Sequence, residues 1–367
     1  MPLYLILAAG TPMLACLTER KPAPRSRQRA LNGVCLFAIG TALFLVSALR
    51  YHVGNDYYWY TDIMHEASVY GHVPTEEGFN MLVRAVYALF GFENYLFVFA
   101  LFSFATVFFF LDALYRYSDC FALSFTMFIL SGYYFQSLST VRYYAVLPLA
   151  FYALRFCERK DWPRFLLIVC AGALFHKSML AVLVFYPAAC VKWKKYMIVP
   201  AVLLCGAVAA LPSFWTGVAL RLYPTYQNVA FDRGTLSVPN VLRCALVLAF
   251  VWAFAKPYLF RGAEASSSGP EDVTVRHMRV WTKLSVMGLV FYVCAWFLPQ
   301  ISRIAYYLTL PQLLLVPAVV YRIGDTKKRR LATAAVIACC VLYFIRYMMQ
   351  AGNDGILILP YRTFLFR

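Results

Sequence analysis

The residues able to do chemistry in this chain of 367 residues gather in a few short polar stretches. The densest is "RYHVGNDYYWYTDIMHEASVYGHVPTEEGF", residues 50 to 79, with five carboxylates (Asp56, Asp62, Glu66, Glu76, Glu77) and three of the five histidines. Further on stand Arg142 in "STVRYYAVLPL", His176 and Lys177 in "ALFHKSML", and Arg303 in "PQISRIAYYL". Guanidinium groups stay charged and donate in a planar fork, so an anionic ligand, phosphate above all, is what such arginines suit. Histidine titrates near neutral pH, and a polar group of this kind sunk beside apolar segments is a functional candidate. A metal site is disfavoured: His52, His65 and His72 are spaced by 13 and 7 residues, which matches no compact ligand motif.

What must position these residues is a membrane-embedded helical framework. The chain is 62% hydrophobic and 18% aromatic but only 14% charged, against about 25% charged in soluble domains. Apolar runs near 3–18, 30–49, 95–115, 119–138, 142–157, 164–191, 197–217, 239–257, 279–298, 304–321 and 331–349 approach the length of helix that crosses a bilayer. The run 164–191 has basic residues on both flanks (Arg159, Lys160, Arg164; Lys192, Lys194, Lys195) with "FHKS" near its middle, so it reads as a hairpin of two short helices. The expectation is an all-α, polytopic integral membrane protein of about twelve transmembrane helices, forming one membrane domain over residues 1–367.

Charge sets the orientation. The net charge is +17, yet 23 of the 34 Lys and Arg residues fall in the loops near 19–29, 155–164, 192–195, 256–283 and 322–330 or at Arg116, the positive-inside pattern rather than a nucleic-acid surface. That side is cytoplasmic, and both termini and the loop 50–79 face outward. Residues 261–278, opening with "RGAEASSSGPED", read as a flexible cytoplasmic loop. The first apolar segment, lacking a basic flank and a cleavage site, reads as a retained helix. The eleven cysteines, scattered and mostly inside apolar runs, form neither a disulfide framework nor a metal motif.

This topology puts Arg50, Arg142, the His176–Lys177 pair and Arg303 on one face, where the positive-inside rule would remove arginines. Each has a plainer reading as a helix-end residue snorkelling to headgroups, which is preferred for Arg221, Arg233 and Arg243. Asp112 and Arg116, four residues apart, suit a local ion pair. Within 50–79, Asp56 can cap a helix over 57–70 whose one face carries Tyr57, Tyr60, Met64 and Ala67 and which Gly71 ends; it would lie at the outer interface. A second helix starts at Thr75, with Glu76 and Glu77 in its first turn, and ends near Gly91. His176 suits either a packing role or a functional one.

Taken in order, "RYHVGNDYYWY", "EEGF", "STVRYYAVLPLAFYAL…RK…FLLIVCAGALFHKSML", "ISRIAYYL" and "LPYRTFLF" resemble the EpsG-type branch of the Wzy polysaccharide polymerases, from about Arg50 onward. The resemblance implies a membrane glycosyltransferase of GT-C-like architecture that polymerises oligosaccharide repeat units carried on undecaprenyl diphosphate, for capsule, exopolysaccharide or O-antigen, at the outer face of a bacterial inner membrane. A chain-length regulator is an implied partner. In that chemistry a hydroxyl of one lipid-linked unit attacks the sugar carbon bonded to the other unit's diphosphate. Cations should stabilise the leaving diphosphate: Arg142 and Arg303 first, Arg50 and Lys177 behind them. A base should take the hydroxyl proton, with Asp56, Glu77 and His176 as candidates. Tyr51, Tyr57 and Tyr60 could stack on sugar rings or anchor at the interface. No metal or other cofactor is needed where arginines neutralise the diphosphate. The competing readings are a flippase or transporter of lipid-linked glycan, which would favour inverted repeats and charges near mid-membrane, and, less well, a membrane O-acyltransferase built on His176.

Overall fold

The computed structural model describes residues 1–18, 26–222, 236–260, 273–298 and 301–365. Among these the regular structure is helical, without a strand. In chain order the helices are α1 Pro2–Cys16, α2 Ser26–Ala48, α3 Tyr57–Val69, α4 Glu77–Phe90, α5 Tyr95–Tyr117, α6 Phe121–Leu130, α7 Tyr133–Gln136, α8 Val141–Val146 and α9 Leu149–Glu158. There follow α10 Trp162–Ala173, a 3-10 turn at Lys177–Ala181, α11 Val182–Cys190, α12 Ile198–Ala210, α13 Pro212–Leu222, α14 Val238–Phe260, α15 Val273–Cys294, α16 Ile301–Thr309, α17 Gln312–Tyr321 and α18 Thr326–Met349.

This is a multi-pass membrane protein. Among the described residues, five stretches are long and apolar enough to cross a bilayer: Ser26–Ala48, Tyr95–Tyr117, Val238–Leu259, Ile301–Tyr321 and Thr326–Met349, with a sixth if the bent pair Lys195–Ala210 and Pro212–Arg221 counts as one. The expected twelve is not reached by that measure. Other apolar runs are cut into helices shorter than the roughly 20 residues a span needs. The run 119–138 breaks at Gly132, whose φ of +80° no helix accommodates, and 142–157 breaks between α8 and α9 at Pro148. In 164–191 two short helices form, with the break at 174–176. Of the expected loop 261–278, residues 261–272 lie outside the described residues and 273–278 are the opening turns of α15. Arg233 also lies outside them.

The chain divides into two compact units, Met1–Tyr152 with Cys170–Lys177 and Val320–Arg367, and Ala153–Val169 with Ser178–Val319. In the first, α2 packs along α5, tied by the Ser47 and Ser103 hydroxyls at 2.8 Å and by Asn32 Nδ2 donating to Tyr115 Oη at 2.8 Å. Bonds of this kind hold helices together where hydrocarbon offers no hydrophobic driving force. Asp112 pairs with Arg116 at 2.6 Å and accepts from Tyr152 Oη at 2.6 Å. The helices α3 and α4 bury one apolar face each against α5 and α8: Tyr57, Tyr60, Ile63, Met64 and Ala67 from α3, Phe79, Val83, Val86 and Tyr87 from α4. Those residues recur every three to four positions, as one face of a helix demands. Gly91, in the left-handed conformation, ends α4.

Residues 351–365 fold back over the C-terminal end of α2. Tyr51 N–H donates to Arg362 O (3.0 Å), Gly54 N–H to Leu357 O (2.8 Å), and Phe364 N–H to Leu49 O (3.1 Å). Gly54 is needed there: φ is +100°, and a Cβ would lie 2.3 Å from Leu138 O. In the second unit α15 packs against α11, α12, α14 and α16. Lys283 from α15 donates to Ala189 O and Val191 O, and Tyr186 Oη to Tyr307 O at 2.9 Å. Arg243 does not snorkel; its Nη2 donates to Thr309 Oγ1 at 3.2 Å.

Candidate functional site

The site is built around Arg142 in the first turn of α8. Its side chain is 9% exposed, and Nη1 meets Glu76 Oε2 at 2.5 Å; Glu76 is itself 10% exposed. The other oxygen, Oε1, accepts the backbone N–H of Lys177 at 3.0 Å. The guanidinium lies against three rings, with its carbon 4.9 Å from the centroid of Phe79, 5.4 Å from Trp59 and 5.7 Å from Tyr60. Arg142 N–H points to Tyr60 Oη at 3.4 Å. An ion pair this enclosed holds only when both partners are well bonded. Glu76 achieves that and Arg142 does not: its Nε is buried and donates to no described residue.

Backbone approach makes the arrangement fit. Gly78 N–H donates to Leu174 O at 2.9 Å, and a Cβ on Gly78 would sit 2.6 Å from that oxygen. The missing side chain lets the start of α4 lie on the 174–177 segment, which brings Glu76 to Lys177 N–H. In "EEGF" the second acid, the glycine and the phenylalanine therefore have separate physical positions, and the first acid is the buried one. The EpsG family model matches residues 33–363.

The chain belongs to the EpsG family.

Membership in the EpsG family carries a polysaccharide-polymerase-like role and marks the chain as an enzyme of that general kind. No curated protein and no solved structure matches the chain. Within this EpsG-family chain, the first unit gathers several of the residues singled out from sequence. His176 is buried, with its ring edge-on to Tyr143 at 5.2 Å, next to Lys177 and one helix position from Arg142. Asp56 stands at the N-cap of α3 without capping it. Its Oδ2 instead accepts from Thr140 Oγ1 at 3.5 Å, at the start of α8. Lys177 thus meets Glu76 directly, while His176 lies against Tyr143 and Asp56 against Thr140, residues on either side of Arg142 in the chain.

Other candidates lie elsewhere. Glu77 is exposed and pairs with the exposed His72 at 3.2 Å. Arg50 is 1% exposed beneath the returning segment 351–365; Nη1 donates to Ser47 O, Phe99 lies 4.7 Å from its carbon, and Nε and Nη2 donate to no described residue. Burial is the largest influence on this group and pushes its pKa down. Tyr57 and Tyr60 are core residues, Tyr57 stacked on Phe99 at 5.1 Å, while Tyr51 stacks on His52 at 3.7 Å. The exposed rings of α3 are Tyr58 and Trp59. Arg303 is half-buried in α16 of the second unit. Glu76 escaped selection from sequence, where it stood only as a helix-start residue. Its phase was the signal: 76, 79, 80, 83 and 87 share a helix face, and 79, 83 and 87 are apolar or aromatic.

Proposed function

We propose that the chain extends capsular polysaccharide, exopolysaccharide or O-antigen by joining repeat units carried on undecaprenyl diphosphate, at the outer face of a bacterial inner membrane. In this reading the framework has about twelve crossings in a GT-C-like arrangement, with both termini outward, and works beside a chain-length regulator. Arg142 binds the diphosphate that leaves as the glycosidic bond forms. Glu76 is its positioning residue. The pair is formally neutral, so the leaving charge is met by the unsatisfied Nε edge of Arg142 together with the exposed ammonium of Lys177. A donor buried without a partner costs about 1–3 kcal/mol, and a phosphate oxygen arriving at Nε would recover it where charge develops.

His176 or Asp56 takes the proton of the attacking hydroxyl, a reading supported by their contacts with Tyr143 and Thr140, close to Arg142 in the chain, while Glu77 is turned to solvent with His72. Trp59, 42% exposed with its ring over Arg142, supplies the face on which a sugar ring stacks. Arg50, enclosed by 351–365, is assigned to holding that fold-back rather than to the diphosphate. The observation that carries the reading is Arg142: a buried guanidinium fixed on one side by Glu76 and left with an open donor on another. The deciding experiment gives purified protein lipid-linked repeat units without nucleotide sugar. Chain growth supports polymerisation; translocation across vesicles without growth would replace it by the flippase reading.

A further inference from the structure

The second unit holds a charged cavity that the polymerisation chemistry does not use. It encloses about 380 Å³ between the end of α9 and the start of α15, and is lined by Arg155, Glu158, Arg159, Val273, Arg276 and His277. The glutamate is turned inward. Its side chain is 2% exposed, with Oε2 at 2.7 Å from His277 Nδ1 and 3.4 Å from Arg155 Nη1. Arg155 Nη1 also meets His277 Nε2, and the His277 ring lies parallel to Trp281. Arg276 Nη2 donates to the Glu158 carbonyl at 2.7 Å. The single acid is therefore held by Arg155 and His277, while Arg159 and Arg276 are both exposed.

Three guanidinium groups against one carboxylate leave two formal positive charges at the mouth, before any proton on His277. Like charges crowded into one cavity repel, and an anion removes that repulsion. The donors are planar forks, which match phosphate oxygens. Val273, exposed and part of the lining, places apolar surface at the opening. Basic pockets among the ends of membrane helices are where phosphate head groups bind. We infer that this cavity binds a phosphate ester of net negative charge, presented either by a lipid headgroup or by a soluble compound.

The test uses the full chain in nanodiscs, with two probes. One is phosphatidylglycerol in a phosphatidylcholine disc, scored as lipid retained in native mass spectrometry. The other is glycerol 3-phosphate added to discs of phosphatidylcholine alone, scored by the shift in melting temperature. Arg159→Gln and Val273→Glu are the variants, since both side chains are exposed and stand outside the Arg155–Glu158–His277 network. Each should weaken binding of the effective probe by about tenfold, as expected when one charge-assisted hydrogen bond is removed or one carboxylate added, with the ligand-free melting temperature unchanged. Retained phosphatidylglycerol without a glycerol 3-phosphate response assigns a headgroup, and the converse a soluble ester. Absence of saturable binding of either probe to the wild type, or equal binding by wild type and both variants, overturns the inference.

Discussion

Glu76→Gln isolates one charge in the candidate site. Glutamine keeps the length of the side chain and an oxygen to accept Lys177 N–H, so only the charge facing Arg142 is lost. Removing one partner of a buried pair costs about 3–5 kcal/mol, because the other charge stays buried without compensation. With side chains 9% and 10% exposed, the lower end, about 3 kcal/mol, is expected. Glu77→Gln is the control beside it in sequence: Glu77 is 63% exposed and 3.2 Å from His72, and its loss should stay within about 0.5 kcal/mol. The Arg142→Gln, Glu76→Gln double variant should be more stable than the sum of its singles predicts, by about 2 kcal/mol, since no unpaired charge remains. Denaturation of purified Glu76→Gln, Glu77→Gln, Arg142→Gln and the double variant in mixed detergent gives the four differences, and a length-resolved glycan gel reads the polymer made by each. Equal losses for Glu76→Gln and Glu77→Gln, or strict additivity in the double variant, would refute the reasoning.

Gly78→Ala should lower stability by about 1–3 kcal/mol, as overpacking does, and shorten or abolish polymer, because its Cβ would stand 2.6 Å from Leu174 O; an unchanged melting temperature counts against that close approach. Arg142→Ala, His176→Ala and Arg303→Ala, at normal expression, should abolish long polymer while single repeat units are still made and exported; full-length polymer on the gel would remove the residue concerned from a role in polymerisation. In a cysteine-free background, Tyr70→Cys should react with an impermeant maleimide in intact cells and Lys327→Cys only after lysis, both positions being exposed; the reverse pattern would invert the orientation. Trp59→Ala should weaken use of lipid-linked units more than it lowers stability, measured as a raised KM with a near-constant melting temperature.

Helical class and the helices α3 and α4 were legible because they rest on periodicity. The stripe Tyr57, Tyr60, Met64, Ala67 reports a buried face in any tertiary setting, and Gly71 and Gly91 punctuate where a positive φ is needed. The span count was less legible, since hydropathy does not register that Gly132 and Pro148 cut apolar runs into pieces shorter than a bilayer. In the site, residue type identified Arg142 and His176, yet type alone could not rank Glu76 over Glu77. That ranking depends on which acid faces the core, a matter of one residue of helix phase, about 100° around the axis. Asp56 shows the other limit: its position is that of a cap, but its side chain is turned to Thr140, a residue 84 positions away, which local sequence rules do not reach.

The fold-back of residues 351–365 has a bearing on how the chain is made. Tyr361 donates to Val46 O across 315 residues, so the C-terminal end of α2 leaves the ribosome long before the segment that closes over it. Until then Arg50 lacks its cover, and α2 and α5 must hold together through bonds of their own, among them Ser47 with Ser103. Enclosure of Arg50 therefore waits on a segment made 315 residues after the helix end that it covers.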